Sequence, residues 1–234
     1  MLDEKIPNVE PLEIYEDNNF IDSEFIEIHD SKKIVVDLQY PKLGMKNSTN
    51  RCFLRKEAYE RLLKACNYLP QGIGFKILDA YRPWNLQNEL YYAYKPIIIE
   101  QFNLEGLPEE EQNKTISKYV SIPSRNELVP PLHTTGGSID LSLIDLTTGK
   151  ELDLGIKFDE FSDKTNSDAY ENTDNEEVKK NRRILYNAMT KAGFTNLPSE
   201  IWHYDFGDRA WAFYKKQPAI YKGVFNVEDI KIID

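Results

Sequence analysis

The chain contains only three histidines, and two of them lie in stretches whose residue types suit a metal ion. His133 begins the stretch HTTGGSID, which ends at Asp140, and His203 follows Glu200 by three positions in SEIWHYDFG. A catalytic zinc ion typically takes three protein ligands from His, Asp, Glu and Cys and keeps a fourth position for water. We therefore predict one metal site, with His133, Asp140 and His203 as its ligands.

Two strands are predicted to carry Asp140 and His203. Apolar and polar residues alternate in SIDLSLID, residues 138–145, so Asp140 lies on the polar face of a strand whose other face is apolar. The stretch IWHYDFG, residues 201–207, alternates in the same way and places His203 on its polar face. The glycines at 136 and 137 allow a tight turn that returns the preceding histidine to the same cleft.

Each histidine also has a structural interpretation. A single histidine on a strand is more often a hydrogen-bonded structural residue than a ligand, and His203 could be satisfied by Asp205 or by a backbone carbonyl. His29, in FIEIHDSKK, has no comparable neighbours, and we interpret it as structural. The combined spacing of His133, Asp140 and His203 favours the metal site.

Glu200 and Arg82 are the candidates for chemistry beside the metal. A carboxylate near such a site can take a proton from water and deliver it to a leaving amine. In a straight strand Glu200 and His203 would face opposite sides, so Glu200 must lie on a bend after Pro198. The guanidinium of Arg82 can hold an oxygen that becomes negative during the reaction, and Asp79 could fix its geometry. The alternative for Arg82 and Asp79 is a structural salt bridge at the end of a strand.

Helices and strands are interspersed along the chain, which favours an α+β fold. Residues 54–69 and 175–194 have helical spacing, and another helix is predicted to begin at or just after Pro83. The strands are short, and the sequence has no βαβ repeat or phosphate-binding glycine motif, which argues against a doubly wound sheet. We predict a single domain over residues 1–234.

Two parts of that domain are predicted to be irregular. Residues 1–50 mix short strand-like runs with polar joints and are interpreted as a wrapping segment. Residues 103–131 contain four prolines around a charged patch and are predicted to form loop-rich surface that could act as a lid.

Composition and charge exclude several classes of partner. The formal net charge of -10, with no local cluster of Lys and Arg, opposes binding to nucleic acid. Cys52 and Cys66 are too few for a disulfide framework and are interpreted as reduced thiols. No apolar run approaches about 18 residues, so no membrane span is predicted. The acidic start lacks the features of a signal peptide, so we expect a cytoplasmic protein, or an exported one if a leader has been removed.

One pattern extends beyond the local motifs: a His, six residues, an Asp and a later Glu-x-x-His occur in this order. With this pattern the chain resembles the zinc D-alanyl-D-alanine dipeptidases of the VanX type, in the DD-peptidase/hedgehog-like superfamily. The resemblance implies a small, mostly antiparallel central sheet flanked by helices. The matching pieces are DAYRPW (79–84), HTTGGSIDLSL (133–143), KFDEF (157–161), NRRILYNAMTKAGF (181–194) and EIWHY (200–204).

The resemblance implies hydrolysis of D-Ala-D-Ala or a related dipeptide with one zinc ion per chain. By that resemblance Asp159, in KFDEF, captures the free amino group of the substrate, which would restrict the enzyme to short substrates. It also assigns the zinc ligands His133, Asp140 and His203, the catalytic base Glu200 and the oxyanion-stabilising Arg82.

The sequence departs from the family pattern near the first ligand. Pro131 stands where the dipeptidases usually have a serine implicated in substrate contact, and Thr135 replaces a basic residue. Three alternatives stay open. A structural protein with no metal would leave the spacing of the His, Asp, Glu and His residues to coincidence. A carboxypeptidase or cell-wall endopeptidase of the same superfamily would keep the metal site but need an open cleft. A non-catalytic zinc-binding module would be expected to lack Glu200 or Arg82, and both are present.

Overall fold

The computed structural model describes residues 2–233, and these form the predicted α+β structure, with a second, three-stranded sheet beside the predicted central one. The strands are β1 (Phe25–Ile28), β2 (Ile34–Val36), β3 (Cys52–Arg55), β4 (Ile73–Asp79), β5 (Ser138–Asp145), β6 (Thr195–Asn196), β7 (His203–Asp205) and β8 (Ile232–Ile233). The α-helices are α1 (Gln39–Lys42), α2 (Lys56–Tyr68), α3 (Trp84–Gln101), α4 (Glu109–Ile116), α5 (Glu176–Ala192) and α6 (Arg209–Lys215).

The central sheet has the strand order β2-β4-β5-β7-β6, and only the β2–β4 pair is parallel. The mostly antiparallel sheet is therefore confirmed. Its register places Asp79 opposite Asp140 and Asp140 opposite His203. Directly paired residues project from the same face of a sheet, so the three side chains form one row across β4, β5 and β7. A register shift between Ile77 and Asp79 brings Asp79 into this row.

The opposite face of the central sheet packs on helices α2 and α5. Alternation along β5 buries Ile139, Leu141 and Leu143 completely, in one core with residues of both helices. Helix α5 is capped at its start by Asn175, whose side chain accepts a hydrogen bond from the amide of Val178, and at its end by Gly193 in the left-handed region. The predicted helices are confirmed, except that residues 54 and 55 of the first belong to β3 and that Leu63 of α2 is exposed.

The loop prediction for residues 103–131 is wrong in one part, because α4 lies inside it. Pro108 precedes three consecutive glutamates, and both features favour the first turn of a helix. The buried Ile116 at the end of α4 packs with Val120 and with Tyr91 of α3. This packing gives the short helix an apolar contact, which its mostly charged sequence does not indicate.

The predicted strand over residues 201–207 is also shorter than expected, since β7 covers His203–Asp205 alone. Before it, the amide of Glu200 donates to the carbonyl of Leu197, and the amide of His203 donates to the carbonyl of Glu200. Two successive turns thus occupy positions where a longer strand would pair, and they place Glu200 on the bend that its predicted role requires.

The N-terminal segment contacts the domain over a long distance in sequence. Ile6 is buried, and its amide donates to Oε1 of Glu171 at 2.9 Å. Further along, β1 pairs with β3 and β8 in the second sheet. None of the helices within residues 2–233 has both the length and the apolar character to cross a bilayer.

Candidate metal and catalytic site

His133 is positioned by a 3-10 turn over Leu132–Thr135 and by the two glycines that follow it. Gly136 has φ +75°, and a Cβ there would lie 2.2 Å from Cε1 of Phe25. A Cβ on Gly137 would lie 2.2 Å from the carbonyl oxygen of Phe206. Both positions therefore require glycine, and the tight turn returns His133 to the row formed by Asp140 and His203.

Three ligand atoms from these residues converge on one point. Nε2 of His133 lies 3.1 Å from Nδ1 of His203 and 3.2 Å from Oδ2 of Asp140, while Nδ1 of His203 lies 3.0 Å from Oδ1 of Asp140. The three side chains are buried, and one ligand atom from each lies within 4.8 Å of the others. The structure thus brings the predicted ligands together in an arrangement that could hold a metal ion.

The hydrogen bond of the other ring nitrogen in each histidine supports a role in metal binding. Nδ1 of His133 lies 2.7 Å from the carbonyl of Ala80, which can only accept, so that nitrogen carries the proton and Nε2 presents a lone pair. Nε2 of His203 lies 2.7 Å from Oδ1 of Asp205, which leaves Nδ1 facing the same point. Two ring nitrogens and a carboxylate therefore surround one position. A cation at that position would contact all three groups and balance the negative charge of the carboxylate.

The charges around this point favour a cation as well. Burial opposes protonation of His203, but Asp205 and Asp140 outweigh it and hold the pKa of the imidazole well above its ordinary value. Burial likewise opposes the charge on Asp140, but the two histidines hold its pKa well below the usual range. A proton or a metal ion can provide the positive charge that these two pKa shifts favour. A donor set of nitrogen and oxygen atoms of this kind suits zinc.

Glu200 lies at the edge of the three candidate ligands. Its Oε2 is 3.8 Å from Nδ1 of His203, and about a fifth of its side chain is exposed, at 20%. Burial raises the pKa of Glu200 to about 8, the nearby His203 lowers it, and the charges of Asp140 and Asp159 raise it further. A carboxylate with a raised pKa holds a proton more strongly than an ordinary glutamate, as a general base should.

Arg82 forms a buried network rather than an exposed ion pair. Its Nε donates to Oδ2 of Asp79 at 2.9 Å, and its Nη1 donates to Oε1 of Gln87 at 2.8 Å. Its Nη2 lies 3.1 Å from the hydroxyl of Tyr40 and 3.5 Å from Oδ2 of Asp140. Asp79 thus holds the guanidinium next to a candidate metal ligand, at the place where a developing negative charge could be stabilised.

Asp159 lies in the same small cavity, where two tyrosine hydroxyls contact it. Oδ2 of Asp159 accepts hydrogen bonds from Tyr40 at 3.0 Å and from Tyr94 at 2.8 Å. Its φ of +57° is unusual for a residue other than glycine and often marks a functional position. Burial raises the pKa of Asp159 to about 6, although the charge of Arg82 and the two hydroxyls oppose this shift.

Sequence reasoning missed Tyr40, Tyr94 and Gln87 as part of this site. Tyr40 lies in the segment 1–50, where no motif marked it, and Tyr94 shares the face of α3 that carries the buried Leu86 and Leu90, so its sequence position suggests only an apolar packing role. The departures near His133 have a structural counterpart: Thr135 is buried, and its hydroxyl donates to the carbonyl of Leu132 and accepts from the amide of Gly137. Thr135 therefore stabilises the turn.

Two cavities adjoin these residues. The small cavity has a volume of about 40 Å³, and its walls include the candidate ligands, Arg82, Asp159 and Glu200. The large cavity, of about 630 Å³, is lined by the N-terminal segment 7–14, residues 117–121 and residues 196–200, among others. Glu200 contributes to the walls of both.

Comparison with known proteins relates the chain to a family of peptidases. The model of the peptidase family M15, described as D-ala-D-ala dipeptidase, matches residues 41–222. A D-alanyl-D-alanine dipeptidase of Synechocystis sp. is 31% identical over 155 residues, which cover 60% of this chain and 62% of the relative, less than two thirds of its length. A D-alanyl-D-alanine dipeptidase of Enterococcus faecium is 31% identical over 171 residues, which cover 69% of this chain and 77% of the relative. The zinc-bound crystal structure of a mutant of the vancomycin resistance D,D-pentapeptidase VanY matches with a TM-score of 0.39 and 13% sequence identity. The match covers 74% of this chain and 85% of the VanY chain.

Proposed function

The chain belongs to the D-ala-D-ala dipeptidase family, and from that premise we propose that it is a zinc-dependent dipeptidase acting on D-Ala-D-Ala or related dipeptides. The observation that carries the proposal is the convergence of His133, Asp140 and His203 beside Glu200 and Arg82 in one small cavity. The relatives named D-alanyl-D-alanine dipeptidase support the choice of substrate.

His133, Asp140 and His203 would hold one zinc ion. As a Lewis acid, this ion would make water a nucleophile near neutral pH. Glu200 takes the proton that water loses as its oxygen bonds to the peptide carbon. When the carbon–nitrogen bond breaks, the same carboxyl delivers that proton to the leaving amine. Arg82, held by Asp79, stabilises the negative charge that develops on the carbonyl oxygen, and Asp159 binds the ammonium of the substrate.

The enclosed carboxylate of Asp159 favours a dipeptidase over a carboxypeptidase or an endopeptidase. Those enzymes need room for the chain that continues from the amino side of the cleaved bond. Asp159 lies instead in a cavity of about 40 Å³, and the hydroxyls of Tyr40 and Tyr94 contact its carboxylate. A free ammonium supplies the positive charge that this carboxylate can pair with, whereas the amide of a continuing peptide chain carries no charge.

A panel of substrates tests the proposed reaction. We expect the zinc-loaded protein to hydrolyse D-Ala-D-Ala and to leave longer peptides ending in D-Ala-D-Ala largely intact, as measured by release of free D-Ala. L-Ala-L-Ala, of the same size and charge, is the control for stereochemistry. Efficient cleavage of the longer peptides, with none of the dipeptide, would instead establish the carboxypeptidase alternative.

Metal analysis tests the ligand set. We expect about one zinc per chain in the parent protein and a large loss of occupancy in His203→Ala, because a three-ligand site cannot retain its affinity with two. Asp205→Asn should weaken zinc binding by about 10–100-fold, the usual effect of removing the partner of a ligating histidine. His29→Ala is the matched control, since His29 is an exposed histidine outside the site. Undiminished zinc in His203→Ala would remove that residue from the ligand set.

A further inference from the structure

The large cavity shares six wall residues with the small cavity: Tyr119, Val120, Ser121, Leu132, Leu197 and Glu200. On the proposed function, the ammonium of a dipeptide lies at Asp159 inside the small cavity, and the cleaved bond lies near Glu200. The rest of the dipeptide then extends towards the large cavity. Its C-terminal carboxylate therefore needs a cationic partner on that wall.

Arg209 is a cation on this wall whose guanidinium is held in place. It is the first residue of α6, is only partly exposed, and donates from Nε to the carbonyl of Pro130 at 3.3 Å. Over residues 2–233, no carboxylate lies within 4.0 Å of its guanidinium, and its only side-chain hydrogen bond is the one to Pro130. The two Nη groups are thus available to a ligand. Lys118, another cation on the wall, is exposed.

The position of Arg209 connects it to the catalytic turn. Pro130 is three residues before His133, and neither Pro130 nor Pro131 has an amide proton or a polar side chain to offer an anion. The guanidinium bound to Pro130 therefore brings to this segment the donors that the two prolines lack. Its planar fork can make two parallel hydrogen bonds to one carboxylate.

We propose that Arg209 binds the C-terminal carboxylate of the dipeptide substrate. The inference rests on the proposed function and extends it, because Asp159 and Arg209 would then recognise the two charged ends of a free dipeptide. A substrate whose C-terminus is an amide loses one of these contacts. Arg209 would be a specificity-determining residue, with no part in the bond cleavage itself.

Calorimetric titration of the zinc-loaded Glu200→Gln protein tests this assignment without turnover. D-Ala-D-Ala is expected to bind about 10–100-fold more tightly than D-Ala-D-alaninamide, the usual range for hydrogen bonds to a charged group. Adding Arg209→Met should weaken binding of the dipeptide alone and remove most of that preference. Arg209→Lys should keep part of it, because the charge remains. Lys118→Met, which removes an exposed cation from the same wall, should keep all of it.

Two outcomes would overturn the assignment: an unchanged preference in Arg209→Met, or equal weakening of the dipeptide and its amide, which is the result of a general structural effect. Thermal unfolding of each variant shows whether the fold is kept. Hydrolysis by the parent protein separates the two hypotheses. If the parent cleaves D-Ala-D-Ala while Arg209→Met keeps the full preference, only the role of Arg209 fails. If the parent cleaves no dipeptide, the proposed function fails, and the binding comparison still decides whether Arg209 recognises a carboxylate.

Discussion

Glu200→Gln is expected to leave zinc bound and to lower kcat for D-Ala-D-Ala by about 10²–10⁴-fold or more, the range for loss of a general acid–base group. Glutamine has nearly the same shape but cannot take up the proton. Burial raises the pKa of the Glu200 carboxyl, which makes its ionised form a stronger base than that of an ordinary glutamate. Steady-state kinetics with zinc analysis of the same sample measure both quantities.

The control for this substitution is Glu177→Gln, which makes the same chemical change on an exposed position of α5. We expect its kcat to equal that of the parent protein. A Glu200→Gln protein with parental kcat and full zinc content would show that another group moves the proton. Loss of zinc together with activity would show instead that Glu200 acts on the metal site.

The residues of the candidate site could be brought together from the sequence because each lies in a local pattern. Alternation along residues 138–145 sets the face of Asp140, and the spacing of Glu200 and His203 requires a bend that the two turns before β7 provide. The two interpretations of His203 turn out to be compatible. An imidazole has two nitrogens, and here Nδ1 faces Asp140 while Nε2 contacts Asp205. A structural partner and the predicted ligand role are therefore compatible in the same residue.

Contacts between residues that are far apart in the sequence leave no local pattern in it. Tyr40 and Asp159 are 119 positions apart, and only the packed structure brings the hydroxyl to the carboxylate. The same is true of Arg209 and Pro130, which are 79 positions apart. Helix α4 was missed for a related reason, since its sequence is charged and its stability depends on packing of Ile116 against α3. Tertiary contacts decide these features, and a single sequence does not record them.

N-acetylation of the substrate is expected to lower kcat/KM by orders of magnitude in the parent protein. The acetyl group removes the positive charge that would pair with Asp159 and leaves this carboxylate in a largely desolvated place without its partner, a loss of a few kcal/mol. Binding should also depend on pH. Since the pKa of Asp159 is about 6, the carboxyl gains a proton below that pH, and the affinity of the Glu200→Gln protein for D-Ala-D-Ala should fall there.

Asp159→Asn is the variant that assigns this selectivity to one residue. Asparagine tolerates the left-handed conformation that Asp159 adopts at φ +57°, so the substitution removes the charge without adding the backbone strain that alanine would bring. Its kcat/KM for the free dipeptide should fall towards the value for the acetylated one, and the dependence of binding on pH near 6 should disappear. Asp163→Asn, on an exposed aspartate close by, should change neither. If Asp159→Asn still prefers the free dipeptide as strongly as the parent does, the ammonium is bound elsewhere in the cavity.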